Sequence, residues 1–175
     1  MLIDISYFTK GSRHILNAST TEMPGQNSIS VNEAIIGYID EYQESFLCEM
    51  LGFSLGADVN LYLLELDSDA TKEHNEQYDE ICDKIKYMFA DYVFFHILRD
   101  CQTQSTTSGL VLLKSANEYV SPINRQVSTW NTMVKRNEVF QAWCKTNLCP
   151  IPNIEVSTNM LTPINNLNLL ISQLK

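Results

Sequence analysis

The chain has 175 residues, of which 45% are hydrophobic and 19% are charged, and its formal net charge is −9. This composition is typical of one globular domain and excludes a chain that is disordered as a whole. The acidic balance disfavours unspecific binding of nucleic acid, because phosphate backbones are themselves negative. Lys135 and Arg136 form the best candidate for a local basic patch, although two solvated cations on a helix are the more common meaning of such a pair.

The order of elements predicts a mainly α fold. Residues 1–29 are predicted to form an N-terminal arm and loop, and the loose alternation of residues 1–18 favours a strand or an extended arm. A four-helix-type bundle is predicted over residues 30–149, with a small β element near residues 108–114. Residues 150–175 are predicted to form an extended C-terminal tail.

The first two helices are predicted from helix-capping residues and from the helical spacing of apolar residues. Ser30 is a good N-cap and Glu33 completes a capping box, which predicts a helix over Val31–Leu51. A shorter second helix is predicted over Leu55–Leu66. The apolar stripe of the first helix has helical spacing: Ile35, Tyr38, Ile39, Tyr42, Phe46 and Met50.

The third helix, predicted over Glu76–Asp100, is the most informative element. Its second half is apolar on all sides, which is typical of a helix at the centre of a bundle or against a neighbouring subunit. A polar run over Gln102–Ser108 follows it, and Leu110–Leu113 is predicted to form a short strand.

The fourth helix opens at Ser121-Pro122, because Pro is well placed in a first turn. Pro150 and Pro152 end regular structure beyond it. Its apolar stripe is Ile123, Val127, Trp130, Met133 or Val134, Phe140 and Cys144. The tail is rich in Asn and poor in charge, so we expect it to dock on another surface rather than form an independent helix.

No catalytic motif is present: there is no P-loop, GxGxxG, GxSxG or HExxH sequence. His96 and Asp100 are one helical turn apart and could act as a base and its orienter, but a buried histidine satisfied by a carboxylate is the more common arrangement. The carboxylates between Asp67 and Asp83 do not fit an EF-hand. We therefore predict no enzymatic activity, no catalytic residues, no cofactor and no metal.

The five cysteines are predicted to be reduced thiols. Residues 1–7 contain Asp4 and lack the basic segment of a secretory signal, so a reducing cytosol is expected. Cys144 and Cys149 lack neighbouring histidines, which makes a zinc site improbable. The longest apolar run is interrupted by Asp91 and His96 and is too short to span a bilayer, so we expect a soluble protein without a membrane partner.

Five segments carry a resemblance to a known family. They are, in order, FTKGSRHI, YIDEYQESFLCEMLG, DYVFFHILRDCQTQSTTSG, VSPINRQVSTWNTMV and TPIN. Together they resemble small head–tail connector proteins of tailed bacteriophages and prophages, of the kind found in phages of gut Bacteroidales and crAss-like phages. The resemblance covers most of residues 3–165 and is carried by the combination of segments.

The resemblance implies a mainly helical adaptor without enzymatic activity. Such proteins form rings, commonly twelve-fold, beneath the portal in the neck of the virion. They bridge the portal to tail or neck proteins and line a channel through which DNA passes without specific binding. The implied location is the virion neck, after synthesis in the cytoplasm of the bacterial host.

The residues expected to contact a neighbouring subunit lie in the arm, the end of the third helix, the polar run, the fourth helix and the tail. They are Tyr7, Phe8, Lys10, Arg99, Asp100, Thr103, Thr106, Thr107, Asn131, Thr162, Pro163, Ile164 and Asn165.

Two alternative functions stay open. One is a monomeric helical interaction module that regulates another phage or host protein, with its arm and tail packed on its own bundle. The other is a small hydrolase or metal enzyme that uses His96, Asp100 or the cysteines.

Overall fold

The computed structural model describes residues 1–21, 25–69, 71–100, 103–106, 109–112, 123–146 and 148–166. Within these residues the chain is mainly helical. Its four long helices are α1 (Gln26–Leu51), α2 (Phe53–Ser68), α3 (Glu76–Asp100) and α4 (Ile123–Cys144). Three 3-10 helices cover Ile5–Phe8, Gly11–Arg13 and Thr158–Leu161.

The four helices share one hydrophobic core. The helix α1 packs against α2 and against α3, and α3 packs against α4. Helices α2 and α4 are therefore the first and last in this series of packed helices, and we call the sides of the molecule that they form the α2 flank and the α4 flank. The largest fully buried apolar side chains come from α1, α3 and α4, from the N-terminal segment and from the described part of the tail: Phe8, Phe46, Phe89, Phe94, Ile39, Leu47, Met50, Ile81, Ile85, Met133 and Met160.

Helix α1 begins at Gln26, earlier than predicted. Its N-cap is Gly25, in an extended conformation, and the Ser28 backbone N–H donates to the Gly25 carbonyl at 2.9 Å. The predicted cap at Ser30 is wrong. Ser30 lies inside the helix, where its hydroxyl donates back to the Gln26 carbonyl at 3.4 Å, a bond that a serine can make without ending the helix.

A single residue separates α1 from α2. Gly52 has a φ of +85°, in a region that disfavours side chains, and this turn lets α2 begin at Phe53 rather than at the predicted Leu55. Four residues later, a Cβ on Gly56 would lie 2.6 Å from the Cys48 backbone. The two helices therefore approach each other at a point where only glycine fits.

The N-terminal segment lies on the bundle. Two 3-10 helices replace the predicted strand or extended arm, which is wrong for these residues. Leu2, Ile3 and Phe8 are buried, and their irregular spacing suits a segment that folds over a core rather than a strand. The Leu2 backbone N–H donates to Gln43 of α1 at 2.7 Å.

The described part of the tail also packs on the bundle. Ile154, Val156 and Met160 are buried, and the Ser157 backbone N–H donates to the Glu49 carbonyl of α1 at 2.8 Å. Whether 1–29, 30–149 and 150–175 form separate units stays a prediction.

An antiparallel pair of short strands follows α3. Strand β1 (Thr103–Thr106) pairs with β2 (Gly109–Leu112), with Thr103 opposite Leu112. Residues 108, 113 and 114 of the predicted β element lie outside the described residues, so its extent stays a prediction.

Candidate protein-contact surface

An exposed apolar stripe runs along the outer side of α2. Phe53, Leu61 and Leu64 are 82%, 57% and 51% exposed, and Ala57 lies between them at the same helical spacing. We call these four residues the α2 stripe. Isolated exposed apolar residues are ordinary, but large ones that repeat along one helix face are typical of a surface that contacts another protein.

The opposite side of α2 fixes the stripe in place. Val59, Tyr62 and Leu63 are buried there, beside Gly56. The Tyr62 hydroxyl donates to Asp79 of α3 at 2.7 Å and accepts from the Asn75 backbone N–H at 3.1 Å. Burial is the largest cause of the raised pKa of Tyr62. These contacts leave the stripe as the face of α2 that is turned to solvent.

The sequence placed these leucines in a helix but did not separate them from the core. Helix α2 carries apolar residues on two faces, and periodicity alone cannot tell which face a protein buries. The signal that could have found the stripe is the excess of apolar positions for a helix of this length on the surface of a bundle.

Two of the three predicted contact residues in the N-terminal segment are engaged within the chain. Phe8 is fully buried, so contact with a neighbour would require this segment to leave the bundle. Tyr7 is half-buried, and its ring centroid lies 5.4 Å from that of Tyr87. Lys10 is exposed.

Arg99 and Asp100 form a polar group between α1 and α3. The Arg99 Nε donates to Asp100 at 3.1 Å, and its Nη2 donates to the Tyr42 hydroxyl at 3.4 Å. The Tyr38 hydroxyl donates to the second Asp100 oxygen at 3.2 Å. Of the predicted residues in the polar run, Thr103 and Thr106 belong to β1, and Thr107 lies outside the described residues.

Three α4 side chains bind the backbone of the tail. Asn131 makes two bonds with Ile164, as donor to its carbonyl and as acceptor from its N–H, both at 2.9 Å. The Trp130 indole N–H donates to the Thr162 carbonyl at 2.9 Å, and Asn137 donates to the Met160 carbonyl at 2.7 Å. The predicted contact residues Asn131, Thr162 and Ile164 thus come together within one chain. Thr162, Pro163 and Asn165 are exposed.

His96 does not pair with Asp100. The ring is buried and stacks on Tyr42, with 4.0 Å between ring centroids, and neither ring nitrogen has a hydrogen-bond partner among the described residues. Burial lowers the pKa of His96 to about 4, with a smaller contribution from Arg99. The expected carboxylate partner is wrong: the Asp100 oxygens accept from Arg99 and Tyr38 instead.

The described cysteines are thiols. Cys82 and Cys144 are buried, and burial raises the pKa of each to about 12. A thiol with such a pKa is not a nucleophile at neutral pH. No group of His, Cys, Asp and Glu side chains in the described ranges is arranged to hold a metal ion.

The predicted basic pair is split by the structure. Lys135 is exposed, whereas Arg136 turns toward α3 and forms an ion pair with the buried Asp91. Arg13 of the N-terminal segment pairs with the other oxygen of Asp91 at 2.6 Å. Burial raises the pKa of Asp91, although both arginines act to lower it. This three-residue group joins segments that are far apart in sequence, which no local pattern could reveal.

Comparisons with known proteins give no match: no protein-family model, no curated protein and no solved structure matches the chain. The resemblance to head–tail connectors therefore depends on the quoted segments alone. Among the described helices, none has an apolar stretch long enough to cross a bilayer.

Proposed function

We propose that this chain is a structural protein that works by contacting other subunits, and that its role is that of a head–tail connector in a tailed bacteriophage. In this role, copies of the chain form a ring beneath the portal, bridge it to tail or neck proteins and surround the DNA channel. The observation that carries the proposal is the α2 stripe, since large exposed apolar side chains on one helix face favour burial against another protein.

A closed ring needs two different faces on each subunit, because its contacts run head to tail. The α2 stripe supplies one face on the flank formed by α2. Val139 and Leu148, which are 70% and 74% exposed, lie on and just beyond α4, on the other flank. We propose that the α2 stripe of one copy packs against this α4 flank of the next.

The charge of the surface is compatible with a DNA channel. Glu33, Asp40, Glu41 and Glu44 are exposed along α1, and the chain as a whole is acidic. A negative wall repels phosphate and lets DNA pass without binding.

A second candidate is a monomeric interaction module that regulates another phage or host protein. One observation favours it: both ends of the described chain pack on their own bundle, through Phe8 at one end and Met160 at the other. In this case the α2 stripe binds a different protein rather than a second copy.

The ring is tested by electron microscopy of negatively stained protein over a range of concentrations. We expect rings from the wild-type chain, and their loss in Phe53→Ser and Leu61→Ser, because each change removes apolar area from the stripe. Leu16→Ser is the matched control, since Leu16 is 76% exposed but lies outside both proposed faces. Rings that persist in both stripe variants would contradict the assigned contact, and a wild-type chain without rings would favour the interaction module.

A further inference from the structure

Three of the four arginines in the chain line one cleft. Arg13, Arg125 and Arg136 surround a cavity of about 330 Å³ between the N-terminal segment, α3 and α4. The fourth arginine, Arg99, lies elsewhere, beside Asp100. We call this cavity the arginine cleft.

The spacing along α4 builds one wall of the cleft. Arg125 and Arg136 are three helical turns apart and share one helix face, with Thr129 and Thr132 between them. All four residues line the cavity. The Thr132 hydroxyl donates its proton to the Ser128 carbonyl at 2.8 Å. The donors that this wall can offer are therefore the two guanidinium groups and the Thr129 hydroxyl.

A buried carboxylate holds two of the guanidinium groups in position. The Asp91 side chain is 5% exposed, and its two oxygens pair with Arg13 and with Arg136. Each arginine uses its Nη1 for this contact, and the Arg13 Nε also donates to the Tyr7 carbonyl at 3.4 Å. The Nη2 of each arginine can still donate to a further acceptor. The ion pairs thus orient both arginines before any ligand arrives.

Arg125 is held by different contacts. Its Nη2 donates to the Ser12 carbonyl at 2.8 Å, and its guanidinium carbon lies 4.7 Å from the centroid of the Phe94 ring. No described residue accepts a hydrogen bond from its Nε or Nη1. Arg125 therefore keeps a donor pair available beside the cavity.

The charge of the cleft selects the class of ligand. Three guanidinium groups and one carboxylate leave a local charge of +2 in a chain whose net charge is −9. A phosphate monoester carries a charge of about −1.5 to −2 at neutral pH, and arginine forks match its oxygens in pairs. The volume falls near the lower end of the roughly 300–1,000 Å³ that small-molecule sites occupy.

We propose that the arginine cleft binds the phosphate group of a small phosphate monoester. The phosphate lies between Arg125 and Arg136, with Arg13 on the opposite side and the hydroxyl of Thr129 as a further donor. A nucleic-acid backbone fits less well, because it needs an extended basic groove and would meet the acidic exterior of the chain. This site does not depend on the role proposed above.

The test is isothermal titration calorimetry of the full chain at fixed ionic strength, with glycerol 3-phosphate, inorganic phosphate and glycerol as separate probes. We expect saturable binding of glycerol 3-phosphate, weaker binding of inorganic phosphate, and none of glycerol. Arg125→Gln should weaken the binding of glycerol 3-phosphate at least tenfold, and it leaves the buried Asp91 ion pairs intact. Arg99→Gln is the matched control and should change binding less than twofold.

Three results would overturn the proposal. The first is the absence of saturable glycerol 3-phosphate binding up to about 10 mM, which is weaker than the millimolar range of a specific small-molecule site. The second is an equal effect of Arg125→Gln and Arg99→Gln. The third is equal affinity for inorganic phosphate and glycerol 3-phosphate, which would assign the cleft to the free ion rather than to an ester.

Discussion

His96 occupies an aromatic cage in the core. Its ring stacks on Tyr42 and meets the edge of Tyr92, with 4.6 Å between the ring centroids of His96 and Tyr92. Burial and Arg99 lower the pKa of His96, while Asp100 acts weakly in the opposite direction. The folded chain therefore holds this histidine in its neutral form, and a proton on the ring favours unfolding.

The free energy of unfolding of the chain should fall as the pH is lowered from about 6.5 to 4. The pKa of His96 is about 4 in the folded chain and about 6.5 in an unfolded one, so the unfolded state binds the proton more readily. Neutral His96 therefore contributes about 3 kcal/mol to the free energy of unfolding. This contribution is complete above about pH 6.5 and is lost as the pH falls toward 4. Urea unfolding at a series of pH values measures it.

His96→Phe isolates this contribution from that of the carboxylates. The phenyl ring fits an aromatic cage and does not titrate, so the variant should lose less stability than the wild type between pH 6.5 and 4. His14→Gln, at an exposed position, is the control and should follow the wild type. Identical pH profiles for His96→Phe and the wild type would show that His96 does not titrate as described.

Replacement by alanine should change the free energy of unfolding in opposite directions at two glycines on adjacent helices. Gly56→Ala would place a Cβ 2.6 Å from the Cys48 backbone, and we expect a loss of about 1–3 kcal/mol from overpacking. Gly37→Ala meets no atom within 4 Å, and we expect a gain of up to roughly 1 kcal/mol from helix propensity. Thermal or urea unfolding of both variants checks the pair; a stabilising Gly56→Ala would disprove the close approach of α1 and α2.

At the scale of elements, α4 holds the tail by its backbone. Trp130, Asn131 and Asn137 bond to carbonyls of the tail rather than to its side chains. Backbone carbonyls are present in any sequence, so this contact depends on α4 far more than on the composition of the tail. It explains how an Asn-rich segment of low charge can be ordered on the bundle.

Removal of these donors should destabilise the chain according to their burial. Asn137 is fully buried and Asn131 is half-buried. Asn137→Ala leaves the Met160 carbonyl without its donor away from water, at an expected cost of about 1–3 kcal/mol. Asn131→Ala should cost less, because water can replace its bonds. Urea unfolding compares the two variants, and a larger loss for Asn131→Ala would contradict the assignment.

The sequence predicted elements better than it predicted contacts between them. The third helix was predicted to begin near Glu76 and to end near Asp100, and α3 has these bounds. Its apolar pattern lies between polar segments at Glu76 and after Asp100. The start of α1 was missed, since Ser30 has the chemistry of a cap but is used inside the helix. The folded N-terminal segment was missed because its burial depends on surfaces of distant helices.

The candidate sites also combine features that are visible in the sequence with contacts that only the folded chain shows. The repeat of Arg125, Thr129, Thr132 and Arg136 along one face of α4 is visible in the sequence and could have indicated the arginine cleft. Its other half could not be predicted, because Arg13 and Asp91 meet only once the chain is folded. For the α2 stripe, the helical spacing of the apolar residues is visible in the sequence, but their exposure is known only from the structure.

At the scale of the whole molecule, the two flanks carry different surfaces. The flank formed by α2 exposes the apolar stripe, and the α4 flank exposes Val139 and Leu148. Two different faces on one subunit favour contacts that run head to tail, which either close into a ring or continue as a filament. Self-assembly is therefore the property that separates the proposed connector from the monomeric interaction module.

The most direct test of this account is the mass of the wild-type protein in solution, measured by light scattering across a concentration series. The proposed ring predicts a mass that rises with concentration and levels off at a fixed multiple of the 20.0 kDa subunit. A constant mass of 20.0 kDa at every concentration would contradict self-assembly through the two flanks and would favour the interaction module.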